Sequence, residues 1–141
     1  MKNRILTLLV FLTLSACKNN QEKKNSILEK GCYVYDSNGN TVTMEITKVG
    51  KVVTGNLDMA YSEKDANTGT FLGTLKGDTL IGTYTFNSEG VKSKREIAFL
   101  VKNDQLIEGY GELNDDGTRF NNSKVIAYSS KMPLKKAACS E

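Results

Sequence analysis

From residue 31 onward apolar and polar side chains alternate one by one, and this period of two is the feature that most constrains the fold. Val42, Met44 and Ile46 alternate with Thr43, Glu45 and Thr47, and Val53, Leu57, Met59 and Tyr61 with Thr54, Asn56, Asp58 and Ala60. Leu80, Tyr84 and Phe86 alternate in the same way with Ile81, Thr83 and Thr85. An extended backbone sends successive side chains to opposite faces, so the pattern describes strands buried on one side. The apolar set is rich in β-branched and aromatic residues, which suit a pleated, half-buried surface. No long window carries the i, i+3, i+4 spacing of an amphipathic helix.

The connections are short. Asp36-Ser37-Asn38-Gly39-Asn40, Val49-Gly50-Lys51, Lys76-Gly77-Asp78 and Asn103-Asp104 each separate two apolar runs, as hairpin turns do. The pattern predicts eight strands, near 31–36, 41–48, 52–61, 69–76, 79–87, 93–102, 105–113 and 123–129. Short links between consecutive strands imply an antiparallel meander. An all-β, eight-stranded up-and-down barrel closes such a meander and removes its exposed edges. Gly55, Gly73, Gly82, Gly109 and Gly111 fall inside these strands and predict sharp bends or close approach of another group. Pro133, the single proline, falls beyond the last predicted strand.

The first thirty residues read differently. Lys2 and Arg4 precede an apolar run from Ile5 to Leu14, which ends at Ser15-Ala16. A basic start, about 7–15 apolar residues and small residues at the break describe a secretory signal segment. The run is shorter than the roughly 20 apolar residues a membrane-spanning helix needs. Leu14-Ser15-Ala16-Cys17 resembles the bacterial lipobox, Leu-[Ala/Ser]-[Gly/Ala]-Cys. That resemblance implies cleavage after residue 16 and a thioether from Cys17 to diacylglycerol. Acyl chains contribute about 0.8 kcal/mol per buried CH₂, and two or more hold a protein stably on a membrane. Lys18, in place of Asp, resembles the pattern of lipoproteins sorted to the outer membrane of Gram-negative bacteria. The expected organisation is a signal peptide over 1–16, a lipidated Cys17 with a polar tether to 30, and a barrel domain over 31–141.

With Cys17 assigned to lipid, Cys32 and Cys139 remain, flanking nearly the whole folded region in a compartment where disulfides persist. Their bridge is expected to tie the first strand to the tail beyond the last. In strand count and order the domain is similar to lipocalins and other small barrel lipoproteins, a calycin-like arrangement. The lipocalin Gly-x-Trp motif is missing, because the chain has no Trp, and so is any Cys-x-x-Cys. Small barrel lipoproteins that inhibit lysozyme are similar in size, anchoring and disulfide use.

The chain contains no His, which removes Ser-His-Asp and Cys-His catalysis and His-based metal sites. Cleavage at residue 16 takes two of the 19 bases and none of the 16 acids, leaving charge nearly balanced. No basic patch interleaved with aromatics points to nucleic acid. The Asp36 and Asp65 loops carry alternating oxygen side chains, but their twelfth residues, Thr47 and Lys76, are not the Glu of a calcium loop. No metal and no cofactor are expected. Glu108 and Glu112 share a strand face, with backbones roughly 13 Å apart at 3.4 Å per residue. That is wide for a glycosidase pair, so they read as a polar strand face and no enzyme is expected.

The candidate site residues lie near one end of the predicted barrel. Arg95 shares a strand face with Ile97, Phe99 and Val101, which would place a cation at the mouth of an apolar lumen. There it is expected to pair with Glu89 or to hold a ligand carboxylate in its fork. Tyr61, Tyr84 and Tyr110 are the candidates to line the same lumen. The expected function is a lipid-anchored envelope barrel, non-enzymatic, binding a small or amphipathic molecule. The alternative is a protein-interaction module, an envelope partner or a hydrolase inhibitor of lysozyme type. Whether the lumen is open or packed stays undecided at this level.

Overall fold

A computed structural model describes residues 27–140 of the 141-residue chain. The predicted signal segment, Cys17 and most of the tether lie outside the described residues. Eight strands form in order: β1 (Gly31–Ser37), β2 (Asn40–Lys48), β3 (Val53–Ala60), β4 (Asn67–Lys76), β5 (Thr79–Ser88), β6 (Val91–Lys102), β7 (Gln105–Gly109) and β8 (Leu134–Ala137). Each pairs antiparallel with the next, and β8 returns to β1 through Cys32↔Ala137, Tyr33↔Lys136 and Val34↔Lys135, closing the barrel. The architecture is the up-and-down meander that the alternation predicts.

Local chemistry sets the register. Two-residue turns join β1 to β2 at Asn38-Gly39 and β5 to β6 at Glu89-Gly90, with positive φ at both central residues. Asn103-Asp104 does the same between β6 and β7. That conformation matches the right-handed twist of the strands it joins. Side chains then alternate inward. Tyr33, Met44, Leu57, Phe71, Leu80, Tyr84, Phe99, Leu106 and Leu134 are buried and fill the interior as one core. Gly73 and Gly82 face each other across β4 and β5, and a Cβ on Gly82 would lie 2.4 Å from the Gly73 Cα. The in-strand glycines there serve close backbone approach, and the barrel below its mouth is packed with side chains.

Three expectations change. The core reaches back past the expected domain boundary at 31: Leu28 is buried in it, and Glu29 pairs with Lys136. The last strand is β8, not 123–129. Residues 123–125 form a single 3₁₀ turn capped by Asn122, and Ala127 makes an isolated bridge to Tyr110. The apolar residues of that segment cover the outside of β7: a Cβ on Gly109 would lie 2.4 Å from Ile126 Cγ2 and 2.7 Å from the Tyr128 ring. The period of two was real there, but it faces an outer wall. The seventh strand also stops at Gly109, four residues earlier than expected.

Cys32 and Cys139 are bonded, with Cα atoms 5.2 Å apart at a sequence separation of 107. The bond joins β1 to the tail just beyond β8, at the seam that closes the barrel. β8 supplies only two register pairs to β7 and three to β1.

Candidate functional site

The early end of β7 creates the site. β6 is twelve residues long and β7 only five, so the first half of β6 has no strand partner on that side. The connection between β7 and β8 fills the gap with loop contacts. Glu96 N donates to Thr118 O at 2.7 Å, and Phe120 N donates to Glu96 Oε2 at 3.0 Å. Leu113 and Phe120 form a further bridge within the connection. Between this lobe, the start of β6 and the 61–64 segment lies a cavity of about 610 Å³. Its polar lining includes Tyr61, Lys64, Arg95, Glu96, Glu108 and Tyr110, and its apolar walls are Ile97, Leu113, Phe120 and Met132. The volume falls within the range of small-molecule sites.

Arg95 is placed by register. It lies opposite Tyr84 on β5 and on the inward face with Ile97, Phe99 and Val101. Its guanidinium carbon sits 5.8 Å from the centroid of Phe86, whose ring stacks on Tyr84 at 4.8 Å. Nη2 reaches the Met59 sulfur on β3 at 3.7 Å, and Nε is buried without a partner. The Tyr61 hydroxyl also donates to the Met59 sulfur, at 3.6 Å. A thioether is a weak acceptor, so two good donors share one poor partner. The buried Tyr84 hydroxyl has none, and neither has Asn67 Oδ1, whose residue pairs with Met59 in the β3–β4 register. Buried polar atoms are nearly always hydrogen-bonded, and three exceptions around one barrel mouth call for an explanation.

The electrostatics match this geometry. Burial raises the Glu108 carboxyl above the ordinary range, while the Arg95 charge and the Tyr110 hydroxyl oppose that rise. Among the described residues no carboxylate lies within ion-pair distance of Arg95. Burial and then Asp58 push Tyr84 up to about 12, against the lowering effect of Arg95. Burial also raises Tyr61 and Tyr110. All three tyrosines therefore remain neutral hydroxyls near neutral pH.

The structure brings most of the predicted residues together. Tyr61, Arg95 and Tyr110 line one cavity, and Tyr84 lies beside Arg95 in the register. Glu89 does not join them. It sits exposed in the β5–β6 turn with φ 49°, and the expected ion pair with Arg95 is not formed. Two-residue turns project their central side chains away from the barrel, and Glu89 occupies such a position. Glu108 takes the place expected of Glu89, because period two from Leu106 turns it inward. Glu112 is exposed beyond the end of β7 and does not share the cavity. Alternation alone could have singled out Glu108. Leu113, Phe120 and Met132 carried no comparable signal, since an irregular connection positions them.

No known protein family, curated relative or solved structure matches this chain.

Proposed function

We propose that this chain is a lipid-anchored protein of the bacterial cell envelope, held at the outer membrane through acyl chains on Cys17, and that its barrel mouth binds a small amphipathic molecule without transforming it. The observation that carries the binding reading is the cavity of about 610 Å³, whose lining joins Arg95 and Tyr61, donors with no better partner than a thioether, to apolar walls. A molecule with one charged or polar end and an apolar body complements such a lining. The packed lower lumen supports binding at the mouth rather than along the barrel axis. The absence of His from the whole chain supports binding over catalysis, because it removes the commonest general base.

The test is native mass spectrometry of the full chain, exported through its own leader and purified from membranes in mild detergent. The reading expects the processed, acylated mass together with an adduct that survives gentle ionisation and vanishes when the same sample is denatured. A clean apo mass with a stoichiometric protein partner would replace it with the interaction-module reading. For the anchor, C17S should abolish acylation and membrane retention. An unchanged membrane fraction would overturn that part alone.

A further inference from the structure

Resting on the binding reading above, we infer that the ligand is an organic monoanion, a carboxylate with an apolar body, whose charged oxygens are held by the fork of Arg95 and by the hydroxyl of Tyr61. Arg95 Nε and Tyr84 Oη are buried without partners, and Arg95 Nη2 and Tyr61 Oη share the sulfur of Met59 at 3.7 and 3.6 Å. Arg95 and Tyr61 line the cavity, whereas Tyr84 is fully buried opposite Arg95 in the β5–β6 register. Two carboxylate oxygens accept from a guanidinium in a planar, bidentate arrangement that neither a thioether nor a single carbonyl can copy.

With three acids and two bases on the lining, the surrounding charge disfavours a dianion, and the attraction for an anion comes from Arg95. Arg95 is the cation inside the mouth, and Glu108 is the acid that faces it across the same cavity. Lys64, Glu63 and Glu96 add one base and two acids to the lining, and Glu96 already accepts from Phe120 N. A dianionic phosphate would face this acidic rim with twice the repulsion and no second guanidinium to offset it. A carboxylate places one charge at Arg95 and leaves its hydrocarbon portion for Leu113, Phe120 and Met132.

Three probes with one body and different heads test this: phenylbutyrate, phenylbutanol and phenylbutylamine. Their binding to the full chain in lipid nanodiscs is followed by calorimetry near pH 7, with protein-free nanodiscs as the blank. The inference expects phenylbutyrate to bind at least tenfold more tightly than phenylbutanol, and the amine to bind weakest. R95Q should erase the preference of carboxylate over alcohol. R95K, which keeps the charge and loses the fork, should retain only part of it. Equal affinities for the three heads, or a preference for the amine, would overturn the anion inference and leave the binding reading standing. If no probe binds above the nanodisc blank, both fail. Should R95Q lose its cooperative melt, R95K and the wild-type order of probes still decide.

Discussion

Removing the bond between Cys32 and Cys139 tests how this barrel is held shut. The change is C32A/C139A, and its magnitude follows from the 107-residue separation of the two cysteines. In the chain-entropy account, closing a loop of that length costs the unfolded chain about 16 cal/mol/K, or about 4.8 kcal/mol at 25 °C. A domain of this size commonly holds 5–15 kcal/mol of stability, so the loss is a third of it or more. Unfolding entropy runs near 2.1 cal/mol/K per residue, which for the ordered region sums to about 0.24 kcal/mol/K. The expected fall in Tm is therefore about 20 °C. Circular dichroism melts of the wild type, the reduced wild type and the double variant measure it, and the last two should coincide. Hydrogen exchange should show β8 opening first in both, because it holds β7 by only two register pairs and β1 by three. A fall of less than about 5 °C, or uniform exchange without early loss at β8, would refute the seam argument.

Three further predictions address the core and the site. G82A places a methyl 2.4 Å from the Gly73 Cα and should cost at least about 3 kcal/mol in urea unfolding, or prevent folding; a neutral effect would mean the strands separate more easily than the packing implies. L28A should lower the urea midpoint by the equivalent of about 2–5 kcal/mol, because Leu28 is 1% exposed although it precedes the first strand; a surface-like loss below 0.5 kcal/mol would return it to the tether. Burial raises the Glu108 carboxyl in the folded state, so its proton contributes stability that is fully present below the unfolded value of 4.5 and is lost as pH rises through the raised folded value. E108Q should therefore raise Tm at pH 7, with the advantage shrinking as pH falls toward 4.5; a lower Tm at pH 7 would mean that attraction to Arg95 outweighs burial.

Period two and turn chemistry determined by themselves that this chain is an antiparallel barrel. Both are local: a strand's alternation follows from backbone geometry, and Asn38-Gly39 dictates its turn wherever it stands. The Cys32–Cys139 pairing was legible for a related reason, since two cysteines at the ends of a closed meander meet at its seam. That Arg95 and Tyr84 are neighbours was legible because period two puts both on inward faces and the β5–β6 register pairs them. What the sequence could not decide was the fate of its irregular stretch. The alternation of 123–129 looks the same whether it lines a lumen or covers the outside of Gly109, and only packing against β7 selects between them. β8 was hidden because Lys135 and Lys136 mask the one inward leucine, Leu134. The cavity depends on both outcomes. It exists because β7 stops at Gly109 and the following connection folds back against β6, and no local preference of either segment specifies that contact. Strands answer to rules of near neighbours, whereas a pocket is made where distant segments leave a gap, and that belongs to the tertiary structure alone.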